Sequence, residues 1–156
     1  MSKVFQLLRI GSSILLIIVL LFVYANLPEQ VAVHANNSGS ASSFLSKNDF
    51  FYFTLLAFIG LNLLVFGGGK MLEQLPVNAA KFLFASESFK ENILAWWTSF
   101  SSIINLFLIF IIGFIGVFNS SDDQLISSYA YLAYVGQFLI IIWLITLIYL
   151  LYYRDR

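Results

Sequence analysis

The sequence predicts an all-α fold, a polytopic integral membrane protein built as a four-transmembrane-helix bundle with a short ordered extracytoplasmic loop. Three observations predict it. Apolar residues make up 60% of the 156 and charged residues only 10%, where a soluble domain averages about 25% charged. Four apolar stretches are each long enough to cross a bilayer core of about 30 Å, which takes roughly 20 helical residues. Lysine and arginine cluster on one side of those stretches, as cytoplasmic loops require.

The spans are expected at about 10–26, 50–66, 94–118 and 127–152 of a single membrane domain, 1–156, with an outer loop at 27–49 and an inner loop at 67–93. The first follows Lys3 and Arg9 and reaches Val23-Tyr24-Ala25, the outline of a signal peptide. The later spans favour an uncleaved signal anchor. The second opens on Ser46-Lys47-Asn48-Asp49, a capping-box pattern, and is expected to stop at Gly67-Gly68-Gly69. A second cap spacing, Ser88 to Glu91, starts the third ahead of the membrane, and Trp96 and Trp97 are expected in an interfacial belt. The fourth closes on Tyr149, Tyr152 and Tyr153, again belt residues, before Arg154-Asp155-Arg156. Lys3, Arg9, Lys70, Lys81, Lys90, Arg154 and Arg156 are seven of the eight basic residues. With four spans they share one side, which places both termini in the cytoplasm.

Span three carries a polar face. Thr98, Ser101, Ser102 and Asn105 are spaced i, i+3, i+4, i+7. Gly113 and Gly116 continue roughly that face, and span four offers Ala130, Ala133, Gly136 and Gln137. Small and weakly polar residues act as interhelical glue in lipid, so packing is preferred over a polar path for a solute. The spans hold no ionisable residue at depth, which argues against a proton-coupled transporter or pump.

Composition removes other classes. The chain has no cysteine, so disulfides and thiolate chemistry are excluded. Its single histidine, His34, excludes a multi-histidine metal site, and a net charge of zero gives no nucleic-acid footprint. Gly67-Gly68-Gly69-Lys70 lacks the spacing of a P-loop. The outer serines with His34 and Asp49 lack a nucleophile elbow. Glu29, Asp49, Asp122 and Asp123 read as solvated loop charges rather than a cation site. Phe82, Phe84 and Phe89 read as a short amphipathic piece at the membrane surface. No catalytic residue, cofactor or metal is expected, and the chain is not read as an enzyme.

The outer loop is the most informative segment. Pro28 should end the first span, and Asn36 to Gly39 is a turn signal. In an extended strand Val31 and Val33 would face one way and Ala32 and His34 the other. A run of small polar residues, Ser40 to Ser43, follows. The candidate ligand or loop motif is Pro28, His34, Asn36 and Gly39. His34 reads either as a ligand- or pH-sensing group, since histidine changes charge near physiological pH, or as a strut pinning the loop to a helix end. The strut is preferred.

Leu27-Pro28, Val31, His34-Ala35-Asn36, Gly39 and Ser46-Lys47 resemble a bacterial membrane domain of unknown function that forms the N-terminal part of SdpI-type immunity and signalling proteins. Pro76-Val77-Asn78, Lys81-Phe82, Glu87 and Lys90-Glu91-Asn92 resemble that family's inner loop, so the likeness runs from Ile10 to Asn105. It implies a bacterial cytoplasmic-membrane protein and no established reaction. Two readings of function stay open: a non-enzymatic binding protein acting through the His34 loop in sensing, immunity or assembly, or a channel or small-solute transporter subunit. The expected partners are the lipid bilayer and a membrane or envelope protein or second copy of the chain.

Overall fold

The computed structural model describes residues 3–36, 40–78, 84–120 and 130–153. In chain order they form α1 (Lys3–Asn26), β1 (Gln30–Ala35), β2 (Ala41–Ser46), α2 (Lys47–Gln74), α3 (Glu87–Ser120) and α4 (Ala130–Tyr152). All four helices contain a segment long and apolar enough to cross a membrane, which in α4 is Tyr134–Tyr152. They mark the chain as a multi-pass membrane protein. Large apolar side chains such as Phe22, Leu64 and Ile148 point away from the protein, an arrangement lipid tolerates and water does not.

The bundle is organised around α3, against which α1, α2 and α4 each pack. Leu16, Leu20, Val31 and Ile112 are almost fully enclosed where α1, α3 and the β-hairpin meet. Gly116 lies against Val23: a Cβ there would come within 3.1 Å of its methyl groups. Gly113 does not share this face, and a Cβ there would meet nothing within 4 Å. Eight helical residues from Asn105 leave Gly113 about 80° round the helix, whereas eleven bring Gly116 to within about 20°. In α4, Gly136 admits the ring of Phe107, but Gln137 is exposed on another side of the helix. The side chains of Ala130 and Ala133 lie outside the described residues.

The glycine run does not end α2. The helix continues through Gly67-Gly68-Gly69 to Gln74, and Gly68 and Gly69 face another helix. A Cβ on Gly68 would stand 2.7 Å from Trp97 Cζ2, and the Trp97 indole donates from Nε1 to Val65 O at 2.8 Å. The run is a seat for an indole. Trp97 is therefore half-buried between helices, and so is Trp96. Trp96 stacks on Trp143 with centroids 3.9 Å apart, and Phe100 covers the Trp143 ring at 4.1 Å. Each indole donates to the opposite backbone, Trp96 Nε1 to Trp143 O at 3.1 Å and Trp143 Nε1 to Trp96 O at 3.2 Å. This clasp fastens α4 to α3.

Other helix ends follow capping chemistry. Ser46 caps α2 as expected, accepting from Asp49 N at 3.0 Å and donating to the Asp49 carboxylate at 2.7 Å. The cap of α3 is Ser86, two residues before the expected Ser88. Its Oγ accepts from Phe89 N at 3.1 Å. Phe84 and Phe89 are buried rather than spread on a membrane surface. Lys90 ties the start of α3 to the end of α2: its ammonium donates to Glu73 O and Leu75 O at 2.8 and 2.7 Å. A cation thereby meets the negative end of α2, and Phe84 lies 5.9 Å from that ammonium.

Candidate functional site

Two places in this framework concentrate polar groups: the β-hairpin, and the middle of the bundle with the cleft beneath it.

The hairpin begins where Pro28, which has no N–H to donate, follows the last residues of α1. β1 and β2 pair antiparallel with Gln30 opposite Ser46, Val31 opposite Leu45 and Ala32 opposite Phe44. The register then slips, leaving His34 opposite Ser43 and Ala35 opposite Ala41. Past the slip His34 does not share the environment of Ala32, as the expected alternation requires. Val31 and Ala32 are both buried, while His34 is exposed. Beyond the ladder Asn36 closes the turn, donating from N to Ser40 O at 2.9 Å and accepting from Ser40 N at 3.0 Å.

The strut of this hairpin is Asn119, at the end of α3, and not His34. The Asn119 side chain accepts from Ala32 N at 2.7 Å and donates to Ala32 O at 2.9 Å. One side-chain amide thus occupies the free edge of β1 as a neighbouring strand would. The ribbon is also held at its base, where Lys47 N donates to Glu29 O at 3.0 Å. Tyr24 Oη donates to Asn48 Oδ1 at 2.9 Å and its ring packs on Phe51. The His34 imidazole makes no hydrogen bond among the described residues, and Pro28, Asn36 and Phe44 are likewise exposed. Gly39, the fourth residue of the expected motif, lies outside the described residues, as do Asp122 and Asp123.

The polar face of α3 is drawn together with α1 and α2. Asn105 is fully enclosed. Its Oδ1 accepts from Asn62 Nδ2 at 2.8 Å, and its Nδ2 donates to Ser12 Oγ and Ser13 Oγ at 3.1 and 3.0 Å. Ser101 Oγ donates to Asn62 Oδ1. Both serine hydroxyls of α1 donate to Arg9 O, and Thr98 Oγ1 donates to Leu94 O. The network is closed upon itself, as buried amides in lipid require. Ser102 is the exception: its buried Oγ has no hydrogen-bond partner among the described residues. Sequence periodicity singled out the α3 members. It missed Ser12 and Ser13, whose partner Asn105 lies on another helix.

Below this network α1 and α2 part. The gap is a cleft of about 630 Å³ floored by Trp97 and Thr98 of α3, with Asn62, Ser13 and Ser101 at its apex. Its rim carries Arg9 on α1, and Lys70 and Glu73 on α2. Lys70 and Glu73 pair at 2.8 Å. Among the described residues no three metal-ligating side chains come together.

A family model described as a domain of unknown function (DUF1648) matches residues 13–59. That segment covers most of α1, the hairpin and the first half of α2. It holds His34, Asn36 and the Ser46 cap, and leaves Asn62, Asn105 and Asn119 outside. No curated protein matches the chain, and no solved structure does.

Proposed function

We propose that the chain is a non-enzymatic membrane binding protein that recognises an envelope ligand or partner through the hairpin between α1 and α2. Such a protein would serve sensing, assembly or an immunity role like that of SdpI-type proteins, which the loop sequence resembles. The observation that carries the reading is the double bond between the Asn119 amide and the Ala32 backbone. It fixes the ribbon to the bundle while leaving His34 and Phe44 unburied. A mounted ribbon with a free imidazole and an exposed aromatic ring is pre-organised for recognition, so little ordering cost remains at binding. The charge distribution supports a bacterial inner membrane setting with both termini in the cytoplasm and the hairpin outside. The solute-path reading ranks lower, since the amides and hydroxyls it needs are bound to one another.

The side of the hairpin is read by single cysteines at Ser40 and Ser86 in the cysteine-free chain. An impermeant thiol reagent should label the first and spare the second, and the reverse pattern removes the envelope ligand. Recognition is read by a photo-crosslinking residue at position 34 in cells, with position 52 on the exposed side of α2 as control. A discrete adduct from position 34, lost on Phe44→Ser, supports the proposal. Identical adducts from both positions, or none from 34, reject it.

A further inference from the structure

The cleft between α1 and α2 opens between exposed apolar side chains of two helices apolar enough to cross a membrane, a face suited to hydrocarbon rather than water. Its walls are Ile10 and Ile14 on one side and Ile59, Leu63 and Phe66 on the other, all exposed. The volume, about 630 Å³, falls within the range of roughly 300–1,000 Å³ for small-molecule sites. Nothing polar at the apex asks for a ligand, because Ser13, Asn62 and Ser101 are bonded within the network.

The rim is different. Lys70 and Glu73 neutralise each other. Arg9 is half-buried, and its guanidinium has no hydrogen-bond or ionic partner among the described residues. Five planar donors stand there without an acceptor, on a stem that can lift its charged head toward the polar edge of the membrane. The guanidinium fork matches phosphate in two parallel bonds. The only uncompensated charge of the site is therefore positive, and it stands at the mouth of an apolar slot.

We propose that this cleft holds one bilayer lipid with an anionic phosphate headgroup. The phosphate binds Arg9, and an acyl chain lies between Ile10 and Ile14 of α1 and Ile59 and Leu63 of α2. The site is separate from the hairpin and would stand if the hairpin proposal failed.

The test uses the full chain purified in a mild detergent and offered equal amounts of phosphatidylglycerol and phosphatidylcholine with the same acyl chains. Bound lipid is counted by native mass spectrometry. One phosphatidylglycerol per chain should be retained, in roughly tenfold preference over phosphatidylcholine, whose choline cation offsets the phosphate charge that both lipids offer to Arg9. Arg9→Gln should abolish the preference. Leu63→Trp, which keeps the charge and fills the slot, should lower retention of both lipids, and helix content by circular dichroism checks that each variant is folded. Glycerol phosphate, a headgroup without chains, should not displace the lipid. Equal retention of the two lipids, a preference that survives Arg9→Gln, or displacement by glycerol phosphate overturns the proposal. So does a lipid-free dimer, which would assign the cleft to a second copy.

Discussion

The hairpin end of the bundle is tied and the far end is parted. At the hairpin end α1 and α2 are joined by the Tyr24–Asn48 bond, the Tyr24–Phe51 ring contact and a ribbon that α3 clamps through Asn119. At the far end the same two helices separate around a cleft, and each leans on α3 instead. The amide–hydroxyl network at Asn105 lies between these regimes and is the last point at which α1, α2 and α3 are linked together by side-chain hydrogen bonds. The contrast teaches that a connection of twenty residues can close one end of a helix pair, while the other end is shaped by what fits between the helices.

The largest effect on this contrast should come from Asn105→Leu. It removes three interhelical hydrogen bonds at once, at an average of about 0.6 kcal/mol and at most about 1.7 each in a membrane. A loss of about 2–3 kcal/mol is expected in denaturant unfolding followed by circular dichroism. Spin labels at positions 6 and 71 should report a broader distance distribution, while labels at the exposed positions 22 and 52 near the hairpin keep theirs. Equal broadening at both ends would break the comparison.

Gly68→Leu comes next. Overpacking against a fixed indole costs about 1–3 kcal/mol, and the Cβ alone would meet Trp97 at 2.7 Å. Tryptophan emission should shift as the indole leaves its seat, with the hairpin untouched. Asn119→Ala acts at the opposite end. It leaves the Ala32 N–H and C=O without their partner, a local penalty of about 1–3 kcal/mol. Hydrogen exchange at Ala32 should accelerate tenfold or more while global unfolding barely moves. A global loss as large as that of Asn105→Leu would show that the hairpin is part of the core. The smallest effect belongs to Ser102→Ala, which deletes a buried hydroxyl with no hydrogen-bond partner among the described residues. Stability should be unchanged or higher by up to about 1 kcal/mol, and a clear loss would mean that Ser102 holds a bond the packing does not reveal.

Much of this architecture was legible in the sequence, and the exceptions have physical causes. Four helices follow from apolar runs that only a bilayer accommodates. The Ser46 cap follows from a spacing that is local by nature. The i, i+3, i+4, i+7 face of α3 points inward because a helix repeats every 3.6 residues. What escaped was non-local or context-dependent. Asn119 meets Ala32 across 87 residues, and no periodicity marks such a pair. β2 is built largely from alanine and serine, which carry little strand preference of their own, and its pairing is decided by β1. The glycine run reads as a stop because glycine weakens a helix. Between packed helices the same absence of a side chain makes room for a ring, and the gain in contact keeps α2 helical. His34 reads as the strut because it is the conspicuous polar residue of its loop, whereas the residue that holds the loop, Asn119, stands on α3.

The indole clasp has one more consequence. All three tryptophans of the chain, Trp96, Trp97 and Trp143, belong to it or to the neighbouring glycine seat. Trp96 and Trp143 lie nearly parallel, 10° apart, at 3.9 Å, close enough for their electronic transitions to couple. The protein therefore carries a built-in optical gauge for one end only: an exciton couplet in the near ultraviolet should follow the seating of α4 on α3, and it should be blind to whatever happens at the ribbon.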